Sequence, residues 1–241
     1  MITIAMTIYK WTRHTQNTIK NILRNKKNKI ELLILMDNPW TEEEDNLERM
    51  LEEWNVFDWE VKVYKQKDDG CINWLWNKIP ELATNEKIFI INDDVEVSPE
   101  FDEVIESIGE NEILNPYFIT PNEKGTRRKD DNISWHAWAT TKEVLKKVLP
   151  IDKRIKLWYW DDRICKKCLD QWIEIKRTNE INVFHYESKT LNNPEVKAKA
   201  DAQIKKDMEQ WKEILKEQKR QDLRFPNNNE EFNKTSWSSE K

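Results

Sequence analysis

The sequence predicts an α/β fold in which a mostly parallel central β-sheet is flanked by helices. Two observations lead to this prediction. Over the first hundred residues, short apolar runs of strand length alternate with stretches whose apolar residues recur at helical spacing. One of the short runs, Ile30 to Met36, has the apolar character of a parallel strand that is covered on both faces. Such an alternation typically produces a parallel sheet with right-handed crossovers.

The elements of the first half follow in order along the chain. We predict strands over Ile2–Ile8, Ile30–Met36, Trp59–Tyr64 and Lys87–Ile91, and helices over Trp11–Leu23, Thr41–Trp54 and Ile72–Leu82. Thr41 and Glu44 have the spacing of a capping box, which marks the start of the second helix. Ser98, Pro99 and Glu100 predict an N-cap followed by proline at the first position of a further helix.

The order of elements changes after about residue 110. We predict strands over Tyr117–Thr120, Ile133–Thr140, Ile173–Lys176 and Ile181–Phe184, and helices from Thr141 to Leu149, Asp161 to Trp172 and Pro194 to Leu223. The last helix has one apolar stripe, which needs a partner surface and consists of Val196, Ala200, Ile204, Met208, Trp211 and Leu215. Residues 226–241 are polar, and their composition predicts a disordered tail.

The composition argues against several functional classes. The net charge is −5, with acidic and basic residues interspersed, which does not favour nucleic acid as the main partner. Only three glycines are present, and no glycine-rich phosphate-binding loop is found. The apolar runs are too short to cross a bilayer, and the first residues lack the pattern of a signal peptide, so we expect a cytoplasmic protein. Cys165 and Cys168 lie in a helical pattern, so we expect helix packing rather than a zinc or redox site.

Polar and acidic side chains follow each of the first four predicted strands. They are Thr7 and Tyr9, then Asp37 and Asn38, then Gln66 to Asp69, and finally Asn92, Asp93 and Asp94. In open α/β sheets, ligands bind outside the carboxyl ends of the strands, so these residues mark a candidate site. Adjacent carboxylates repel each other, and Mg²⁺ or Mn²⁺ with oxygen ligands relieves the repulsion while also binding phosphates. An ordinary cluster of turn and capping residues remains the alternative interpretation.

The sequence Ile88-Phe89-Ile90-Ile91-Asn92-Asp93-Asp94 followed by Val95-Glu96-Val97-Ser98-Pro99-Glu100-Phe101 resembles the D-x-D region of GT-A fold glycosyltransferases, especially family 2. The first strand with Tyr9, the second strand ending in Asp37, and Asp68-Asp69-Gly70 through Asn77 are similar to segments of the same family in the same order. The resemblance covers residues 1 to about 105. It implies an enzyme that transfers a sugar from a nucleotide-diphosphate sugar, with Mn²⁺ or Mg²⁺ as cofactor.

Two later segments extend the resemblance. Trp158-Tyr159-Trp160-Asp161-Asp162-Arg163 is similar to the acidic motif whose carboxylate is the general base of inverting members, which implies Asp162, with Asp161 as the alternative. One of these two residues could instead cap the helix that begins there. Val183-Phe184-His185-Tyr186 resembles the late strand whose histidine completes the metal site, which implies His185 as a ligand beside Asp94.

The remaining roles also follow from the resemblance. It places the nucleotide near Thr7, Tyr9, Asp37 and Asp69. Asn92 and Asp93 are each expected to contact either the ribose or the metal. Arg127 and Arg128 lie in a polar loop and could bind the phosphates, or could be a solvated surface turn. Four tryptophans could stack on a sugar face, with aromatic packing in the core as the alternative for each of them: Trp135, Trp138, Trp158 and Trp160. Asn92 departs from the family pattern, since it replaces the first carboxylate of the motif with an uncharged amide.

The domain organisation that follows is a GT-A-like catalytic domain over residues 1–190, with a nucleotide-sugar half over 1–110 and an acceptor half over 111–190. The helix over residues 194–224 is expected to pack on this domain or to join two subunits. Two other functions stay open. A sugar-phosphate nucleotidyltransferase would carry a glycine-rich loop after the first strand, which is absent from the sequence here. A degenerate, non-catalytic domain that binds a glycan or a protein remains compatible with Asn92.

Overall fold

The computed structural model describes residues 1–8, 11–37, 41–53, 60–66, 72–119, 133, 136–156, 159–186 and 194–224. Within these ranges the strands are β1 (Ile2–Ile8), β2 (Ile30–Asp37), β3 (Glu60–Gln66), β4 (Lys87–Asn92), β5 (Val95–Val97), β6 (Glu112–Ile119), β7 (Ala137–Thr141) and β8 (Glu174–His185). The helices are α1 (Arg13–Asn25), α2 (Thr41–Glu53), α3 (Ile72–Trp76), α4 (Ile79–Leu82), α5 (Phe101–Glu106), α6 (Lys142–Val148), α7 (Trp160–Asp170) and α8 (Pro194–Arg224). None of the described helices is long and apolar enough to cross a membrane.

The described strands form one sheet in the order β3-β2-β1-β4-β7-β6-β8-β5. The first four strands in this order are parallel to one another, as the alternation of strands and helices predicts. The remaining part is mixed, because β7 lies antiparallel between β4 and β6, whereas β8 runs parallel to β6. The predicted α/β fold with helices flanking a central sheet is therefore confirmed.

Helices cover both faces of the sheet and create two apolar cores. One face of β1 and β4 packs against α1 and α5 through residues such as Ile4, Phe89, Ile19 and Phe101. The other face packs against α3, α6 and α7, and it also contains Ile214 of α8. Because β1, β2 and β4 are buried on both faces, their apolar residues run consecutively rather than alternating.

Several element boundaries differ from the sequence prediction. The single helix predicted over residues 72–82 is two short helices, α3 and α4, because Pro80 at the start of α4 has no backbone N–H to continue the hydrogen bonding of α3. The strands predicted over residues 173–176 and 181–184 are one strand, β8, and β6 begins earlier than predicted while β7 begins later.

The predicted cap of α5 is wrong. Glu100, in the left-handed region with φ of 58°, precedes the helix, and no side chain caps it. Ser98 instead extends the pairing of β5 with β8, since its backbone N–H donates to the carbonyl oxygen of Asn182 at 2.9 Å. Ser98 is therefore part of the pairing between β5 and β8, although the local capping pattern predicts it at the start of the helix.

The buried face of α8 is rotated from the predicted stripe. Met208 is exposed and Leu215 is only partly buried, whereas Ala200, Asp207 and Ile214 are buried. A buried carboxylate is accommodated because Asp207 Oδ1 accepts hydrogen bonds from the backbone N–H of Lys156 and from Gln203. The helix therefore packs on its own domain along a face that includes a charged residue.

Candidate functional site

The carboxyl ends of the parallel strands meet at one edge of the sheet and define the candidate site. Thr7 at the end of β1 is in register with Asn92 at the end of β4, and Asp37 at the end of β2 is in register with Gln66 at the end of β3. Parallel strands bring their carboxyl ends to the same edge, which is where ligands bind in open α/β sheets. The prediction that the residues after the first four strands share a rim is confirmed for those that the structure describes.

Asp94 and His185 are brought together by the pairing of β5 with β8. Val95 lies opposite His185 in this antiparallel pair, and the backbone N–H of Tyr186 donates to the carbonyl oxygen of Asp94 at 3.1 Å. His185 Nε2 is 3.2 Å from Asp94 Oδ1, and the two side chains are only 3% and 15% exposed. A carboxylate and an imidazole that are far apart in sequence thus form a close, largely buried pair.

This pair has the chemistry and spacing of two ligands of one divalent cation. Ligands at about 2.1 Å in adjacent positions of an octahedron lie roughly 3 Å apart, close to the distance between Asp94 Oδ1 and His185 Nε2. Carboxylate oxygen and imidazole nitrogen both suit Mn²⁺ or Mg²⁺ sites that complete their coordination with phosphate oxygens and water. Among the described residues, no group of three or more His, Cys, Asp or Glu side chains is arranged to hold a metal.

His136 is a neighbour of this pair that the sequence did not reveal. Its ring stacks on that of His185, with centroids 3.6 Å apart and planes inclined by 27°. The centroid of the Phe118 ring is 5.5 Å from that of the His136 ring. Its backbone carbonyl accepts a hydrogen bond from the N–H of Asn92 at 2.9 Å. No local pattern marks His136, because it stands alone in sequence just before β7 and its meaning depends on β7 lying beside β4.

Asp93 is tied to α1 rather than to Asp94 and His185. Its Oδ2 accepts a hydrogen bond from Thr15 at 2.9 Å, and its backbone carbonyl accepts one from Thr18. Burial, and then the charge of the adjacent Asp94, raise the pKa of Asp93 to about 7. The two neighbouring carboxylates therefore differ in environment, and Asp94 is the one that faces the imidazole.

Asp37 and Gln66 form a second polar pair on the rim. Both side chains are almost completely buried, at 3% and 5% exposure. Asp37 Oδ1 and Gln66 Oε1 have no hydrogen-bond partner within the structure as described. Burial raises the pKa of Asp37 to about 6. Buried acceptors without donors cost free energy, so this pair indicates a place where a ligand supplies the donors.

Asp161 and Asp162 lie in the first turn of α7. The residue before the helix is Tyr159, in the left-handed region with φ of 65°, and its side chain makes no capping hydrogen bond. The alternative that one of the two aspartates caps α7 is therefore wrong, since both stand inside the helix. Burial raises the pKa of Asp162, which opposes the stabilisation that a helix N-terminus gives to a carboxylate.

Two of the predicted sugar-stacking tryptophans are core residues. Trp138 is fully buried and Trp160 is 5% exposed. Trp76 joins them, with ring centroids 5.9 Å from Trp138 and 4.1 Å from Trp160. A sugar cannot stack on rings that protein atoms already cover, so the stacking prediction is wrong for these two residues. Tyr9, Asp69, Arg127, Arg128, Trp135 and Trp158 lie outside the described residues.

No family sequence model matches the chain, and no curated protein sequence matches it. Solved structures do match. GalNAc-T7 with UDP, GalNAc and Mn²⁺ is 11% identical with a TM-score of 0.64, over 77% of this chain and 43% of its own. S. aureus TarS is 13% identical with a TM-score of 0.61, over 78% of this chain and 37% of its own.

The mannosyltransferase PcManGT from Pyrobaculum calidifontis, in complex with GDP-Man and Mn²⁺, is 12% identical with a TM-score of 0.61, over 78% of this chain and 57% of its own. The chain thus spans between roughly two fifths and three fifths of the length of these proteins. At such low identity the likeness concerns the fold. The chain has the GT-A fold that these glycosyltransferases share.

Proposed function

We propose that the protein is a metal-assisted glycosyltransferase that moves a sugar from a nucleotide-diphosphate sugar to an acceptor hydroxyl. The observation that carries the proposal is the close pairing of Asp94 with His185 at the end of β4, in a chain with the GT-A fold. The pair lies on the same rim as the buried polar residues at the ends of β1, β2 and β3. Donor and cation would therefore meet at one edge of the sheet.

The donor is assigned to the strand ends. Asp37 offers a buried carboxylate oxygen to an N–H of the nucleotide base, and Thr7 and Asn92 stand side by side where the ribose would follow. Tyr9, Asp69 and Asp93 remain further candidates for the nucleotide, and Arg127 and Arg128 for its phosphates, on the strength of the family resemblance. Asn92 supplies an amide rather than a charge, which leaves Asp94 as the principal anionic ligand.

Asp94 and His185 would hold Mn²⁺ or Mg²⁺. When bound, the cation supplies positive charge that stabilises the departing nucleoside diphosphate. Both GalNAc-T7 and PcManGT were solved with Mn²⁺, which favours manganese as the first ion to test. The uncharged Asn92 lowers the negative charge near the ion compared with a motif of three carboxylates.

Asp162 is proposed as the general base, with Asp161 as the alternative. Its carboxylate takes the proton of the acceptor hydroxyl while that oxygen attacks the anomeric carbon and the bond to the diphosphate breaks, which inverts the configuration. Partial burial raises the pKa of Asp162, which makes its carboxylate a better proton acceptor than an exposed one.

Replacement of the base tests the proposed chemistry. Asp162→Asn should retain binding of Mn²⁺ and donor, measured by calorimetry, and lose sugar transfer by two orders of magnitude or more. Asp161→Asn is the matched control in the same helical turn and should retain most of the activity. Transfer at the parent rate by Asp162→Asn would reject the base assignment, and the reverse result would select Asp161.

Removal of the metal tests the other half of the proposal. A thermal-shift screen of nucleotide sugars with and without Mn²⁺ should find a donor that raises the melting temperature only when the ion is present. Asp94→Ala and treatment with EDTA should each abolish turnover of that donor. Activity that survives both treatments would exclude a metal-assisted reaction, and stabilisation without any turnover or hydrolysis would favour a binding domain.

A further inference from the structure

The ends of β2 and β3 present two buried hydrogen-bond acceptors side by side. Asp37 and Gln66 are in register in a parallel pair, so their side chains leave the sheet on the same face. Asp37 Oδ1 and Gln66 Oε1 each lack a donor in the part of the chain that the structure describes. Since native proteins seldom bury two adjacent acceptors unsatisfied, the pair points to a ligand that offers two neighbouring donors.

The four common nucleotide bases differ in what their Watson–Crick edges offer to such a pair. Guanine has two adjacent donors there, the N1–H and the N2 amino group. Uracil has one N–H flanked by two carbonyl oxygens, so one of the protein acceptors would face another acceptor. Adenine and cytosine each place an amino group beside a ring nitrogen with a lone pair, which gives the same conflict.

We propose that this protein uses a guanosine-diphosphate sugar, with Asp37 accepting from N1–H and Gln66 accepting from the N2 amino group of guanine. The proposal rests on the proposed function, since it names the donor of the same site. It makes Gln66 the residue that determines base specificity. An ionised carboxylate and an amide oxygen are both acceptors, so together they match guanine and reject bases whose neighbouring positions carry lone pairs.

Inosine diphosphate isolates the role of Gln66, because hypoxanthine keeps the N1–H of guanine and lacks the N2 amino group. Binding of GDP, IDP, UDP and ADP to the full chain is measured by calorimetry at pH 8 with Mn²⁺ present. We expect GDP to bind tightest and IDP about tenfold more weakly, which is the typical effect of leaving one buried acceptor without its donor. UDP and ADP should bind more weakly than GDP.

The variant Gln66→Met keeps the length of the side chain and removes the acceptor. Its affinity for GDP should fall to that for IDP, while its affinity for IDP stays within about twofold of the parent value. Lys65→Met is the matched control on the same strand, because the side chain of Lys65 lies on the opposite face of the sheet from that of Gln66 and its Nζ is 3.8 Å from Glu48 Oε1. It should keep the parent preference for GDP over IDP.

Equal binding of GDP and IDP by the parent chain, or an unchanged preference in Gln66→Met, would overturn the role of Gln66. Tighter binding of UDP than GDP would overturn the guanine assignment while leaving the proposed glycosyltransferase intact, and would mean that Gln66 presents its NH₂ group to a base carbonyl. Failure of all four nucleotides to bind would overturn the guanine assignment, and the thermal-shift screen of nucleotide sugars with and without Mn²⁺ would then decide whether the proposed function holds.

Discussion

Asp37 and Asp102 are both buried aspartates, yet their surroundings differ in a way that has opposite consequences for stability. Asp102 is fully buried and accepts hydrogen bonds from the backbone N–H groups of Lys27 and Asn28, the latter at 2.7 Å. Asp37 Oδ1 is buried without any such donor among the described residues. A satisfied buried carboxylate stabilises the fold, whereas an unsatisfied one costs free energy until a ligand supplies the donor.

The first prediction concerns Asp37→Asn. The folded-state pKa of Asp37 is raised to about 6, so the folded protein holds this proton more tightly than the unfolded chain does. The resulting destabilisation is present above pH 6 and disappears as the pH falls toward 4. Asp37→Asn should therefore raise the free energy of unfolding by about 1–3 kcal/mol at pH 7.5, measured by urea denaturation, and weaken nucleotide binding.

Two controls accompany this measurement. The gain should shrink at pH 4.5, where the parent carboxyl is largely protonated in both states. Asp102→Asn should lower stability, because the new NH₂ group meets backbone donors that need an acceptor. A loss of stability in Asp37→Asn at pH 7.5 would contradict the view that this residue serves a ligand at the expense of the fold.

The second prediction concerns His136, whose ring packs on His185 and Phe118. We expect His136 to act as a positioning residue that orients the imidazole of His185 toward Asp94. His136→Phe keeps an aromatic ring at this place and should bind Mn²⁺ within about threefold of the parent protein. His136→Ala removes the ring and should weaken Mn²⁺ binding by about tenfold, as is typical when the support of a metal ligand is lost.

Mn²⁺ binding is followed by electron paramagnetic resonance of the free ion, with circular dichroism to confirm folding of each variant. If Mn²⁺ affinity falls as much in His136→Phe as in His136→Ala, a ring nitrogen of His136, rather than the stacking of its ring, supports Mn²⁺ binding. Full affinity in His136→Ala would show that His185 needs no such support.

At the scale of secondary structure elements, the polar residues at the carboxyl ends of the parallel strands differ in role from those at the amino ends. The functional rim lies at the carboxyl ends of the parallel strands, while Glu31 lies near the amino ends. Glu31 is fully buried, is in register with Thr3, and forms an ion pair with Lys62 of β3 at 2.7 Å. Its oxygens also accept hydrogen bonds from Thr3 and from the side chain and backbone of Thr84, which precedes β4. One carboxylate thus joins the beginnings of three strands to the segment that leads into the fourth.

The third prediction concerns Glu31→Gln. Burial by itself would raise the pKa of Glu31, but the hydrogen bonds from Lys62, Thr3 and Thr84 outweigh it and lower the pKa. Its stabilising contribution is therefore present above the ordinary glutamate pKa and is lost as the pH falls through the lower folded-state value. Glu31→Gln should reduce the free energy of unfolding by about 1–3 kcal/mol at pH 7.

The stability difference between parent and Glu31→Gln should narrow below pH 4, and nucleotide affinity should be unchanged because Glu31 lies at the other edge of the sheet. Glu48→Gln is a suitable control, since Glu48 is exposed and pairs with Lys65 at 3.8 Å, and it should change stability by less than about 0.5 kcal/mol. A loss of nucleotide affinity without a loss of stability would contradict the structural role of Glu31.

At the scale of the whole molecule, α8 returns to the domain and packs against the core that α3, α6 and α7 share. Ile214 lies in the apolar core, and Trp211 packs against the same core. Arg154 binds Asp152 at 2.7 Å and Glu217 of α8 at 3.0 Å, which links the segment before α7 to the helix. The segment that α8 holds through Asp207 and Glu217 leads directly into the turn that carries Asp161 and Asp162.

The fourth prediction tests the face of α8 that is buried. Ile214→Ala should lower the free energy of unfolding by about 2–4 kcal/mol, because it leaves a cavity in the core. Met208→Ala, on the exposed side, should change it by less than about 0.5 kcal/mol. The stripe expected from sequence includes Met208 and omits Ile214. A large loss of stability in Met208→Ala and none in Ile214→Ala would therefore identify that stripe as the packing face. Denaturant titrations at two protein concentrations would also reveal any dimer formed through Met208.

The sequence by itself determined β1 to β4 with the helices α1 and α2, and it placed the acidic rim after β4. It could do so because buried parallel strands are apolar throughout and helices repeat at their own period, which are short-range properties. The family resemblance singled out Asp94 and His185 as one site, and the structure brings their side chains within 3.2 Å of each other.

Only the tertiary structure decided which residues meet. Because β7 lies antiparallel beside β4, the ring of His136 stacks on that of His185. Because β5 pairs with β8, Ser98 belongs to the strand pairing and does not cap α5 as predicted. Burial makes Trp138 a core residue rather than a sugar-stacking candidate, and it leaves Asp37 Oδ1 and Gln66 Oε1 without donors among the residues that the structure describes. These outcomes depend on contacts between distant parts of the chain, which no local periodicity or capping pattern records, because packing and solvent exclusion act on the folded molecule as a whole.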